Sequence, residues 1–331
     1  MAISLQAQIG GKHTYQFLNL VSSPKQAALG GKNITGYTYD PTSALYNPST
    51  INQEMANQLS LNYVSYMGDI NYGTAAYAFD INPKLGVLQA GVTYINYGTF
   101  DGYDEYGNAT ESFSGSEVAL SVGYAYHIPK SKFHVGANLK GITSKLESYS
   151  SYGAAVDLGL TYLDEEKDLI ISAVLRNAGS QFKPYDEIYE SLPLELNLGI
   201  SKKLSELPVR WHFTLENMQQ WNLAFRNTAR DETDLDGNVK KDNPGFFNNA
   251  LRHTVLGVEL FPEGGFNVRL GYSFRRSEEL RVIDQRSFAG LSGGIAIKVK
   301  RFRFSYSYAR FNSTGGSSLF GLNIDLNKEY N

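Results

Sequence analysis

Five histidines, His13, His127, His134, His212 and His253, are the side chains in this sequence best suited to metal binding or proton transfer. None stands in a His-Glu-x-x-His or similarly close spacing, so the sequence gives no zinc site. His127 and His134 flank a predicted turn and are expected to be neighbours. No G-x-S-x-G elbow with a supporting histidine and acid is present, and Gly115-Ser116 and Ser292-Gly293-Gly294 fall inside alternating segments. Nothing here supplies the Ser–His proximity that hydrolysis needs, so no enzyme and no cofactor are expected. The stretch from Asp231 to Asn238 is the most acidic. Glu232, Asp234, Asp236 and Gly237 copy the first half of a calcium loop. Asn243 stands where the chelating Glu should be, so Asp234 and Asp236 are a weak calcium pair in a solvated loop tip.

The elements that would carry these residues are strands. Phe320, Leu322, Ile324 and Leu326 alternate with Gly321, Asn323 and Asp325; Phe266, Val268, Leu270, Tyr272 and Phe274 alternate with Asn267, Arg269, Gly271, Ser273 and Arg275. A period of two sends successive side chains to opposite faces of a strand. About fourteen such segments follow residue 57, near 57–67, 69–81, 85–98, 112–128, 132–147, 150–163, 168–177, 192–203, 208–217, 251–261, 265–276, 286–299, 301–312 and 317–327. One face is apolar throughout. The other carries glycines and charges such as Glu195, Arg210, His212, Glu216, Arg269, Arg275, Lys298 and Arg303. An Arg or Lys facing lipid at mid-depth costs about 2–4 kcal/mol, so these charges belong in a wet lumen where opposite signs pair. Tyrosines such as Tyr63, Tyr72, Tyr94, Tyr162 and Tyr308 gather toward segment ends, where amphipathic rings meet a membrane interface. The expected fold is all-β: a transmembrane antiparallel β-barrel of about fourteen strands with an N-terminal plug.

Connection lengths support the barrel. Short ones near 82–84, 129–131, 164–167, 204–207, 262–264 and 300 alternate with longer ones at 99–111, 178–191, 218–250 and 277–285. Outer-membrane barrels pair short periplasmic turns with long outer loops and an even strand number. The parity places both termini on the periplasmic side of a Gram-negative outer membrane. A soluble all-β repeat fold would show a motif at fixed period, and none recurs. The chain of 331 residues has no cysteine and a net charge of -3, which excludes a disulfide framework and disfavours nucleic acid. No apolar run is long enough for a membrane helix.

Residues 9–56 read differently. Gln16 to Ala28 is compatible with a short helix, with Ser23-Pro24 as a start signal, and Asp40-Pro41 and Asn47-Pro48 mark turns. The segment is too short to bury a core alone and is expected as a plug, with residues 57–331 as the barrel. Residues 1–8 look like the tail of a signal peptide. In the longest loop, Trp221, Phe225, Phe246 and Phe247 lie among charges; Phe182, Tyr185, Ile188 and Tyr189 lie in or beside the 178–191 connection. Exposed aromatics in long loops suit a partner interface, or they pack the loop back on the barrel mouth.

The segment Asp40-Pro41-Thr42-Ser43-Ala44-Leu45-Tyr46-Asn47-Pro48-Ser49, preceded by Ala27-Ala28-Leu29-Gly30-Gly31, resembles the Asn-Pro-Ala region of FadL-like outer-membrane proteins. More narrowly, Gly10-Gly11-Lys12-His13-Thr14-Tyr15-Gln16-Phe17-Leu18-Asn19-Leu20 with Ser23-Pro24 resembles the PorQ/PorV-type barrels of the type IX secretion system in Bacteroidota. The resemblance implies a fourteen-stranded barrel with an N-terminal plug. It also implies membership of an attachment complex with a lipopolysaccharide-binding propeller protein, a sortase and a PorV-like barrel, set among outer-membrane lipids. Ser49 departs from the commoner Ala, and the end Asn327-Lys328-Glu329-Tyr330-Asn331 departs from the usual terminal aromatic.

Two functions follow. A scaffold would have a sealed lumen and an outer surface that holds a soluble partner. A FadL-like passive transporter of a hydrophobic small molecule would have an apolar pocket near the plug and a gap in the wall, with Ser292-Gly293-Gly294 as one possible kink. A non-specific porin is a lesser third reading, because a plugged lumen leaves little open space.

Overall fold

A computed structural model describes residues 13–82, 85–224, 232–233, 239–240, 245–280, 288–311 and 315–327. Fourteen antiparallel strands close into one barrel. In chain order they are β1 (Gln58–Ser65), β2 (Asn71–Asn82), β3 (Gly86–Phe100), β4 (Phe113–His127), β5 (Phe133–Leu146), β6 (Tyr149–Asp164), β7 (Leu169–Lys183), β8 (Glu195–Lys203), β9 (Val209–Leu215), β12 (Thr254–Leu260), β13 (Phe266–Ser273), β14 (Leu291–Val299), β15 (Phe302–Ala309) and β16 (Ser317–Asp325). A separate two-stranded ribbon, β10 (Glu232–Thr233) and β11 (Val239–Lys240), lies in the longest loop. Each barrel strand falls where alternation placed it. β16 pairs with β1 from Gln58↔Asp325 to Ser65↔Ser318, which closes the sheet and leaves no edge.

The alternation is realised as lipid-facing and lumen-facing rows. Along β4, Leu120, Val122, Tyr124 and Tyr126 are exposed, while Ala119 and Ser121 are buried. Tyr72 departs from the tyrosine pattern: it turns inward and donates to the Val21 carbonyl at 3.1 Å. Among the described residues no helix is long and apolar enough to cross a membrane.

The wall is uneven. Strands β2 to β7 run 12 to 16 residues, whereas β8, β9, β12 to β16 and β1 run 7 to 9. At about 3.4 Å per residue the tall strands exceed the short ones by about 10 Å or more. Over the short half, the long-loop end is built from irregular chain and two small helices, α2 (Phe246–Arg252) and α3 (Phe274–Glu279). Two expected boundaries change there. The segment read as strand to 276 stops at Ser273, whose hydroxyl caps α3 by accepting from Arg276 N at 3.4 Å, so Arg275 lies on a helix rather than in the lumen row. The segment starting at 251 begins as the end of α2.

Residues 13–57 thread the lumen. A backbone bridge from His13 to Ser191 holds the start at the long-loop end, and Asn57 N donates to Ala78 O beside the short-turn end, where β1 begins. Between them run a 3-10 turn (Gln16–Asn19), α1 (Pro24–Ala28) and further 3-10 turns at Pro41–Leu45, Pro48–Thr50 and Gln53–Met55. Residue 13 and residue 327 therefore stand at opposite ends of the barrel; the expected placement of the two termini falls on residues outside the described ones.

Candidate functional site: the plugged lumen and its mouth

The plug is held by wall residues that the strands aim inward. The largest knot sits on a β-bulge. β7 pairs with β6 at Leu175↔Leu158 and again at Ala178↔Val156, so Arg176 and Asn177 together oppose Asp157. Asn177 adopts φ 58, the left-handed region that Asn tolerates better than most residues. The extra residue turns both neighbours inward, and both are buried. Asn177 N donates to Asp157 Oδ1 at 2.8 Å, and its side chain donates to Asn19 Oδ1 at 2.9 Å and Pro193 O at 3.1 Å. Lys140 Nζ reaches Asp157 Oδ2 at 2.7 Å and Asn177 Oδ1 at 2.9 Å. Arg176 donates to Glu195 Oε2 at 2.8 Å and to the plug carbonyl of Leu18 at 3.0 Å. Lys32 of the plug binds the other oxygen of Glu195, and its amide donates to Glu216 Oε1 at 3.0 Å.

A second knot lies nearer the short-turn end. Asn33 Nδ2 donates to His212 Nδ1 at 2.8 Å, which leaves the ring proton on Nε2, 3.7 Å from Glu259. Glu259 is also reached by Arg269 at 3.0 Å and by Lys25 of the plug at 3.7 Å. Lys32 and Lys25 of the plug thus each face a wall carboxylate. Buried pairs of this kind are close to break-even against an apolar core, but removing one partner strands a charge. They fix position more than they add stability.

The plug turns read in the sequence do local work. Asp40 Oδ1 accepts from Thr42 N at 2.9 Å and from Ser60 Oγ of β1 at 2.7 Å. Asn47 Oδ1 accepts from Ser49 N at 3.0 Å, and Nδ2 donates to Ile34 O at 2.7 Å and Thr161 Oγ1 at 3.1 Å. Pro41 and Pro48 open the 3-10 turns that these side chains cap. Between the knots the plug backbone touches lumen-facing glycines. A β-carbon at Gly136 would lie 2.4 Å from the Pro48 carbonyl carbon, and one at Gly271 would lie 2.1 Å from Gly30 N.

Two cavities bracket the plug. One of about 760 Å³ opens at the long-loop mouth over the short wall, lined by Gly31, Lys32, Glu216, Arg276 and Phe311 among others. Arg276 donates to Gly30 O at 2.6 Å and lies 5.1 Å over the Phe311 ring. Burial pulls its pKa down to about 10, so it stays charged near neutral pH. The other, of about 440 Å³, faces the short turns and is lined by Tyr37, Tyr39, Asp164, Arg210 and Arg303 among others. Both are mixed in polarity.

The loop aromatics separate into two groups. Phe247 is 81% exposed and Phe246 66%. Trp221 stacks on His253 at 5.2 Å and tilts against Phe246 at 5.1 Å, so part of this loop packs back on the mouth. Ile188 and Tyr189 are exposed. Phe182 is exposed too, but it belongs to β7, which runs six residues beyond the expected 177. Tyr185 turns inward: it packs on Tyr15 at 6.4 Å and bonds Ser144 Oγ at 2.5 Å, and burial pushes its hydroxyl up to about 12. It therefore braces the plug. Phe225, Asp234 and Asp236 lie outside the described residues. Among the described residues no group of three or more His, Asp or Glu side chains is arranged for a metal. His127 and His134 are register partners whose rings stack at 4.4 Å. Sequence reasoning missed Arg176, Asn177, Lys25 and Lys32; the one signal for the bulge is Arg-Asn interrupting the apolar alternation of β7.

No family model and no curated protein matches the chain. Among solved structures it is similar to the toluene transporter TbuX of Ralstonia pickettii, at 15% identity over 93% of this chain and 97% of that one, with a TM-score of 0.51. A likeness to the KdgM porin, at 10% identity over 82% of this chain and 99% of that one, has a TM-score of 0.34, too low to bear on this chain. At such identity the TbuX likeness shows the fold alone: a closed antiparallel β-barrel of fourteen strands.

Proposed function

We propose that this chain is an outer-membrane scaffold of the type IX secretion attachment complex. It would hold a surface partner, a propeller protein linked to the sortase, at the long-loop face. The observation that carries the scaffold part is the lumen: residues 13–57 fill it, held by wall carboxylates and backbone-to-glycine contact, while Phe182, Ile188, Tyr189, Phe246 and Phe247 stand exposed around the mouth. Exposed aromatics clustered on one face suit protein recognition. The type IX assignment rests on the resemblance of residues 10–31 and on no geometry. The test is a gentle detergent pull-down of the tagged protein from its own outer membrane, with mass spectrometry of what stays bound. A stoichiometric surface protein supports the scaffold; a barrel recovered alone with a bound hydrophobic small molecule sinks it.

The second reading, a passive transporter of a hydrophobic small molecule, is favoured by the likeness to TbuX, described as a toluene transporter, and by the cavity at the mouth. Against it, that cavity is charged. Ser292-Gly293-Gly294 forms no gap either: β14 pairs continuously with β13 and β15 there.

A further inference from the structure

The outer wall carries an apolar groove of about 800 Å³, away from both mouths. Its lining comes from β3, β2, β1, β16, β15 and β14, six strands that are consecutive around the barrel. A closed barrel is convex outward, so a concavity shared by six neighbouring strands is shaped by the sizes of the side chains that stand on them. The cause is visible in the side chains. The outward positions on β2 are Gly73 and Ala75, between Tyr94 of β3 on one side and Leu61 and Tyr63 of β1 on the other, with Phe320, Phe304 and Tyr306 standing beyond on β16 and β15. On the lumen side of the same wall Gly321 lets α1 come close: a β-carbon there would lie 3.0 Å from Pro24. The dent is not a break, since β1 pairs with β16 and β2 throughout it.

We propose that this groove is a binding site for one bilayer lipid, its acyl chains along Leu61, Ala75 and Leu322 and its polar headgroup at the long-loop end. The wall faces acyl chains by the nature of the fold, and the groove is polarised as a lipid is. Its long-loop end holds Tyr63, whose hydroxyl donates to Asn71 Oδ1 at 2.6 Å, and Tyr306, within 3.2 Å of Ser318 Oγ. The remainder is aliphatic and aromatic, with Ile295, Ile297 and Phe304. Tyrosine hydroxyls at one end of an apolar slot match the interfacial level of a lipid. The volume falls in the range of small-molecule sites, about 300–1,000 Å³.

The experiment reconstitutes the whole barrel in vesicles doped with a phosphatidylethanolamine that carries a diazirine in one acyl chain, and maps the crosslinks by mass spectrometry. Crosslinks should concentrate on β1, β2, β15 and β16. Ala75→Trp, which fills the groove floor from the lipid side, should abolish that excess, while Ala173→Trp on the opposite wall should not. Gly73 is unsuitable for this test, because a β-carbon there would meet Asn62 O at 2.2 Å. Heat-modifiable migration checks that both variants close. Labelling spread evenly around the apolar band, or an excess indifferent to Ala75→Trp, overturns the site. So does an excess in isolated barrels that disappears in native outer membrane, because a partner protein would then cover the groove.

Discussion

The tall wall, β2 to β7, and the short wall, β8 to β1, have the same alternation and opposite roles. In the tall wall each strand pairs with its neighbour over long stretches, from His127↔His134 to Gly115↔Leu146 between β4 and β5 for example. It carries the register shifts at Asn96/Thr99 and at Arg176–Asn177. In the short wall the ladder stops early, and chain that leaves it forms α2, α3, the mouth cavity and the Trp221–Phe246–Phe247 cluster. The tall wall is a rigid backing for the plug; the short wall is where structure has been traded for surface. The two meet at β7 and β8, where Arg176 and Glu195 bridge them at 2.8 Å.

The largest expected effect separates the walls directly. Gly136→Val on the tall wall puts side-chain carbon against the Pro48 backbone, and Gly271→Val does the same to Gly30 on the short wall. Both glycines sit in strands without positive φ, so valine suits the strand and conflicts only with the plug. β5 is paired along its length on both sides and cannot yield, so the plug segment around Pro48 must leave. Single-channel recording should show large, steady conductance for Gly136→Val. Gly271→Val should show smaller, flickering openings, because β13 is short and can bow. Equal conductance from the two variants would dissolve the distinction between the walls.

Next comes the seam. Glu195→Gln takes from Lys32 and Arg176 the buried carboxylate that they share. Removing one member of such a set costs about 3–5 kcal/mol. Denaturant unfolding in lipid should show that loss. An isosteric change on the wet rim, Lys298→Met, should stay within about 0.5 kcal/mol, as surface changes do. A smaller effect is expected from Asn177→Ala. It gives up the side chain that tolerates the left-handed bulge and the bonds to Asn19 and Pro193, for about 1–3 kcal/mol. If the bulge survives without that loss, neighbouring strands and not Asn177 set it.

The strands were legible because one face meets lipid and the other water, which stamps a period of two on every crossing, short or tall. Where a second constraint acts, the stamp misleads. Phe274 and Arg275 continue the alternation of β13, yet Ser273 caps a helix there. Arg176 and Asn177 read as one residue in and one out, because a bulge shifts register without changing composition. Tyr185 looked like a surface aromatic because its partners, Tyr15 and Ser144, are remote in sequence. The capping roles of Asp40 and Asn47 were readable, since an Asx-Pro turn acts within a few residues. Lumen glycines such as Gly136 carry no local sign of their purpose, which appears only once the path of the plug is known.

The smallest effect on the fold carries the most weight for function. Phe247→Ala removes an 81% exposed ring that touches Phe246 edge-on at 5.7 Å, so unfolding should move by no more than about 0.5 kcal/mol. The same change removes a candidate anchor at the mouth of the short wall, and truncating a central aromatic at an interface costs about 2 kcal/mol or more of binding. Phe182→Ala gives the matching change on the tall wall. Quantified pull-downs from the outer membrane should therefore lose the surface partner with Phe247→Ala and keep most of it with Phe182→Ala. Equal retention would mean that the loops over the short wall do not form the docking face. Loss with Phe182→Ala alone would move that face to the β7 rim, where the rigid wall rather than the loops presents the partner site.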